Sequence, residues 1–190
     1  MRLMARKIMA TADTLKNQET EAFLREILDA DRIYVMGAGR SGLVAKAFAM
    51  RLMHLGFTAF VVGETITPAM RGKDLLVIFS GSGRTKTIAD IAETAHAIGG
   101  RIALITANRE SRIGAIADVI VKIEHQRDEV KDDTAEFEVR QMTGEHKSFA
   151  PLGTLFETAA MVFADACISL LMEISQIDEK ELKNRHANIE

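Results

Sequence analysis

The chain has 190 residues, 47% of them hydrophobic and 27% charged, with a formal net charge of −3. That is the length and composition of one soluble globular unit able to bury a core. The mild acidity gives no electrostatic case for a nucleic-acid partner. A single cysteine, Cys167, excludes an intramolecular disulfide, and residues 1–16 lack a signal peptide's apolar run and cleavage site. Both point to a reducing, cytoplasmic compartment and no membrane partner.

In chain order, residues 1–29 read as helix, with Phe23, Leu24, Ile27 and Leu28 at helical spacing. A strand at 33–38 precedes a helix over about 42–55. Strands at 58–62 and 75–80 follow, then a helix over about 85–98 that Gly99-Gly100 ends. A strand at 101–107, a short helix near 113–117 and a strand at 119–123 complete the regular part. Residues 124–150 read as an exposed, charge-dense connection. Pro151 then opens a long apolar helix through about Met172, and a polar segment, 178–190, closes the chain. The most apolar part of that helix, 159–172, is interrupted by Asp165 and reads as too short to cross a bilayer. Cys167 falls in its apolar pattern and reads as a buried structural thiol. The ten methionines read as core filler and interface.

The strands are continuous apolar runs, so both sheet faces are expected to be covered. Alternating strands and helices then predict one α/β domain over 1–190: a doubly wound, five-stranded parallel sheet with helices on both faces. If the strand order is flavodoxin-like, 2-1-3-4-5, a ligand crevice lies between strands one and three.

Those two strands carry the most informative motifs. Gly37-Ala38-Gly39-Arg40-Ser41-Gly42 closes the first, and Ser80-Gly81-Ser82-Gly83-Arg84-Thr85 closes the third. Each loop opens a helix. Glycine lets successive N–H groups converge on one spot, and the helix N-terminus adds partial positive charge. Ser41, Ser80, Ser82 and Thr85 add hydroxyl donors, and Arg40 and Arg84 add cations. This is a phosphate cradle that needs no metal, and two of them suggest a phosphorylated small molecule. The alternative for each loop is a glycine turn required only for strand–helix packing. The first loop also matches the dinucleotide fingerprint G-x-G-x-x-G, with Glu64 as the ribose-binding acid. A nicotinamide-dependent oxidoreductase would use it so, but such a site needs no second cradle. Neither loop fits a P-loop.

At these loops the sequence resembles the sugar isomerase (SIS) domain family over nearly its whole length. The stretches 37–52, 62–65 and 150–157 and the ending 185–190 narrow the resemblance to its 6-phospho-3-hexuloisomerases. The resemblance implies a flavodoxin-like SIS domain, phosphate binding by residues 80–85, and a homotetramer. It also implies interconversion of 3-hexulose 6-phosphate and fructose 6-phosphate, a step of the ribulose monophosphate pathway. Another sugar phosphate as substrate, or a non-catalytic sugar-phosphate sensor on the same fold, is the alternative.

That reaction takes one proton from C2 and returns it to C3 through an enediol, which one carboxylate can do. It needs no redox cofactor, and none is expected, nor a metal. Glu157 is the candidate base, on a helix face of small and apolar neighbours. Thr154-x-x-Glu157 fits a capping box equally well; the resemblance favours catalysis. His186, in the tail, is the candidate for assisting proton movement at the sugar oxygens, in the crevice of a neighbouring subunit. His54 has the same option across an interface, or a packing role. His96 and His125 read as surface residues.

Overall fold

The computed structural model of the chain describes residues 1–124 and 154–188. The strands are β1 (Ile33–Gly37), β2 (Ala59–Val61), β3 (Leu75–Phe79), β4 (Arg101–Thr106) and β5 (Val119–Lys122). The helices described are α1 (Arg2–Asp13), α2 (Asn17–Asp29), α3 (Arg40–His54), α4 (Lys86–Ile98), α5 (Thr154–Ile174) and α6 (Glu179–Asn184). The strands pair in the order β2-β1-β3-β4-β5 and every pairing is parallel. This is the flavodoxin-like order expected from the sequence. Its reversal lies between β1 and β3, where Gly37 pairs with Phe79 at the carboxyl end.

Alternation along each strand sorts the core into two layers. Ile33, Val35, Leu75, Val77, Phe79, Ala103, Ile105 and Val121 face α2, α3 and α5. Tyr34, Met36, Leu76, Ile78, Ile102 and Leu104 face α4 and the turn segment around Ile113. Phe23, Phe48, Phe79 and Phe163 interlock in the first layer, with ring centroids 5.7–6.1 Å apart. Burial on both faces is why no strand shows a polar–apolar alternation.

The structure corrects several expectations. The helix predicted over 1–29 is two helices. Thr14 ends α1, its hydroxyl donating to the Thr11 carbonyl at 2.7 Å. Lys16 is extended (φ −93°, ψ 121°), so α2 starts in a new direction. α1 then packs on α5, and α2 on β5. Residues 111–116 form successive turns where a short helix was expected. There the Ser111 hydroxyl accepts the Gly114 N–H at 3.1 Å, an alternative to the helical ladder. α5 is 21 residues long and apolar, so length alone does not exclude a bilayer crossing. Its apolarity has another source: ten of its residues are buried in the protein's own interior. The exposed connection expected over 124–150, His125 and the helix start at Pro151 lie outside the described residues, except Glu124.

Cys167 is buried as expected, and burial pushes its thiol up to about 12, which keeps it protonated and inert.

Candidate active site

The two glycine loops leave the carboxyl ends of β1 and β3, neighbouring strands, so both open into one cleft. In the first, Gly39 (φ 54°) turns the chain and α3 begins at Arg40, two residues earlier than expected. A side chain on Gly37 would press on the Ser41 backbone, its Cβ 2.7 Å from the Ser41 carbonyl carbon. A Cβ on Gly42 would lie 2.8 Å from the Gly37 oxygen. These two glycines therefore serve close strand–helix packing, and Gly39 supplies the turn. Ser41 is buried in the first helical turn.

The second loop is held from within and from behind. Ser80 Oγ accepts the Gly83 N–H at 3.1 Å, and Ser82 Oγ accepts the Arg84 N–H at 3.2 Å. Each hydroxyl accepts through an oxygen lone pair and retains its own hydrogen to donate. Gly83 (φ 63°) abuts the Ser111 side chain, which leaves no room for a Cβ. Gly81 packs against the Phe156 ring. Thr85 is the N-cap of α4. Arg84 turns aside, its Nη2 donating to the Glu110 carbonyl at 3.3 Å.

Neither α3 nor α4 has a side-chain cap at its start. The first N–H groups of two helices, with their partial positive charge, thus face one crevice. That is an electrostatic environment made for an anion.

α5 closes the crevice from a third side. Its first turn places Phe156 on the second loop and Glu157 against the first. Arg40 Nε donates to Glu157 Oε2 at 2.7 Å. Glu157 is only 8% exposed, whereas the Arg40 side chain is 56% exposed. A carboxylate shielded from water thus sits beside the glycine loops, oriented by one cation.

His186 lies elsewhere. Its ring stacks on that of His54, with centroids 4.2 Å apart and planes at 29°. His54 ends α3, and its 15 residues put that end about 22 Å from Arg40. The His186 ring therefore lies at the far end of α3 from Arg40 of its own chain. His54 is 2% exposed and its Nδ1 has no hydrogen-bond partner among the described residues. Burial first, then the positive charge of His186 and Arg51, holds its pKa below the usual histidine value. His96 is exposed, as expected.

The sequence reading missed the loop after β4. Thr106 is fully buried, its Oγ1 3.2 Å from the Gly81 carbonyl and accepting the Asn108 N–H at 3.1 Å. With Ser111 it braces the back of the second loop. The available signal was the polar run 106–111 at a strand's carboxyl end, the edge where ligands bind. Glu64 forms an ion pair with Lys46 at 2.6 Å. A separate apolar cavity of about 180 Å³, lined by Tyr34, Val62, Met70 and Ile91 among others, lies on the α4 face and includes no residue of either glycine loop. Among the described residues no cluster of His, Cys, Asp or Glu could hold a metal.

The SIS domain model matches residues 26–144. The chain is 41% identical to the 3-hexulose-6-phosphate isomerase of Bacillus subtilis over 180 residues, 95% of this chain and 91% of that one. It is 50% identical over 159 residues to an uncharacterised protein of Aeropyrum pernix, spanning 84% of this chain and 74% of that one. A crystal structure from Methanococcus jannaschii, from which a 3-hexulose-6-phosphate isomerase function was inferred, superposes with a TM-score of 0.82 at 31% identity. It covers 98% of this chain and 97% of that one. The chain belongs to the SIS domain family and, within it, to the family of the 3-hexulose-6-phosphate isomerases.

Proposed function

We propose that this protein is a cytoplasmic isomerase that interconverts 3-hexulose 6-phosphate and fructose 6-phosphate, the step found in the ribulose monophosphate pathway. The observation that carries this reading is the buried Glu157 carboxylate, paired with Arg40 beside the serine-glycine loop. The phosphate sits on the hydroxyls of Ser80, Ser82 and Thr85, on the N–H groups of residues 81–85 and near Ser41. The 3-keto sugar cannot close a five-membered ring through O6, which carries the phosphate, so it enters open-chain. Glu157 takes the proton from C2, giving an enediolate, and returns it to C3. The carbonyl moves from C3 to C2 with no net redox change, and the carboxylate ends as it began. Arg40 orients Glu157 and faces the developing oxyanion. Arg84 contributes charge at the cleft's rim.

Proton movement among the sugar oxygens is assigned to His186, with His54, from a second copy. Leu43, Met50 and Met53 are exposed along α3 at 65%, 44% and 42%. Leu43, Met50 and His54 share one helix face by their spacing. This stripe starts beside Arg40 and ends under His186. Two copies packed antiparallel about Ala47 bring His54 of each opposite Arg40 of the other. Such an isologous contact completes two crevices at once. A second apolar stripe, Val162, Leu170 and Ile174 on α5, supports the further pairing that a homotetramer needs.

The test is a coupled assay that follows fructose 6-phosphate formed from enzymatically made 3-hexulose 6-phosphate. Turnover supports the isomerase. Binding of fructose 6-phosphate without turnover supports a sensor instead.

A further inference from the structure

The end of α3 is closed in a way that leaves one carbonyl for the tail. Gly56 (φ 93°) terminates the helix. The Phe57 N–H bonds back to the Leu52 carbonyl at 3.0 Å and the Gly56 N–H to the Met53 carbonyl at 2.9 Å, the paired bonds of a Schellman motif. The Leu55 N–H takes the Arg51 carbonyl at 3.0 Å. The His54 carbonyl is the next in line, and it receives Arg185 Nη1 at 3.0 Å. The Arg185 guanidinium lies flat over Gly56, 3.2–3.3 Å from where a Cβ would stand. A cation at a helix C-terminus also meets the negative end of the dipole.

Arg185 is adjacent in sequence to His186. The bond to His54 therefore fixes both imidazoles relative to each other. Without it, the last anchor of the tail is Leu182, packed at the core's edge. The stack alone is a weak tether, because it is a single face-to-face contact between two rings.

We propose that Arg185 is a positioning residue, clamping the tail to the end of α3 so that His54 and His186 act as one unit. The inference rests on the histidine role proposed above. Two properties of Arg185 matter: a planar fork that can cap a carbonyl, and a flat face that fits over a glycine. Lysine retains the charge and donor N–H groups but not the flat face.

The experiment uses the full chain as wild type, Arg185→Gln and Arg185→Lys. It records imidazole NMR spectra, including the contact between the His54 and His186 rings, alongside kcat and KM for fructose 6-phosphate. The expected result is loss of the ring contact in Arg185→Gln, a kcat lower by about tenfold or more, and KM within about twofold, since the phosphate loop is untouched. Arg185→Lys recovers part of both. A ring contact that persists in Arg185→Gln overturns the clamp. A lost contact with unchanged kcat overturns the catalytic purpose of the unit and counts against the histidine reading, while leaving the Glu157 chemistry standing.

Discussion

Arg40 and Glu157 are 117 positions apart in sequence and 2.7 Å apart in space. Their ion pair ties the first turn of α3 to the first turn of α5 across the cleft. If Glu157 is the proton shuttle, Glu157→Gln loses about 10²–10⁴ in kcat, the range for a general base. Steady-state assays check this, with KM near its wild-type value and thermal melting little changed. A Gln variant with full activity returns Glu157 to a structural role. Arg40→Ala also lowers kcat. It also lowers the melting temperature, because the nearly buried Glu157 carboxylate is left without this cation.

The phosphate loop makes a separable prediction. A charge-assisted hydrogen bond contributes roughly 1.5–3 kcal/mol, so Ser82→Ala raises KM about tenfold or more while kcat at saturation falls less. Ser80 adds a fold component, since its Oγ holds the Gly83 N–H. Ser80→Ala therefore lowers the melting temperature as well as raising KM, and Ser82→Ala changes the melt less. Unchanged kinetics and unchanged inhibition by inorganic phosphate in the double variant would remove the loop from the site.

Two glycines with positive φ give an internal comparison. Gly39 has φ 54°, and a Cβ there would meet nothing within 4 Å, whereas Gly83 has φ 63° and faces the Ser111 side chain. With ψ −126°, Gly39 lies in a positive-φ region that disfavours any Cβ, so Gly39→Ala incurs a backbone penalty of about 1–3 kcal/mol and no steric clash. Gly83→Ala adds a steric clash, melts at lower temperature than Gly39→Ala, and raises KM by displacing the loop. Calorimetry and kinetics on the pair check the ranking.

The β1 and β3 loops were legible because glycine and hydroxyl residues mark them and parallel order aims them at one edge. Glu157 was ambiguous, since Thr154-x-x-Glu157 fits both a cap and a catalytic carboxylate; only its meeting with Arg40 in space places it beside the loops. Thr106 and Ser111 were illegible because they act through the backbone of another loop. The break at Thr14–Lys16 was missed because both sides keep helical spacing. The stack of His186 on His54 depends on a helix terminus and a chain end meeting, which spacing does not encode.

His54 sets a pH dependence. Its pKa is lowered from 6.5 by burial, then by His186 and by Arg51; Arg185, on the tail, also faces it. A lowered folded value means the unfolded chain binds the proton more readily. The contribution to stability is therefore complete above pH 6.5 and is lost as pH falls through that value toward the folded one. NMR titration should place His54 below 6.5, and thermal stability should drop on acidification from about pH 7.5 to 5.5. In His54→Asn that part of the drop disappears.

The trans arrangement is tested by complementation. Deleting residues 185–190 leaves a folded oligomer by light scattering with strongly reduced kcat. Mixing that protein with Glu157→Gln, under conditions of subunit exchange, restores partial activity. Full activity of the truncated protein would contradict a catalytic tail; exchange without recovery would assign the tail to its own subunit.

Proton transfer between C2 and C3 of a ketose phosphate at Glu157 is the step on which everything else depends. Incubating fructose 6-phosphate with the protein in deuterated water over many turnovers, then reading the sugar by NMR, tests it directly. The expected result is deuterium at C3, absent with Glu157→Gln. Label at C1 would identify an aldose–ketose isomerase, and binding with neither label nor turnover would identify a sensor; either contradicts proton transfer between C2 and C3.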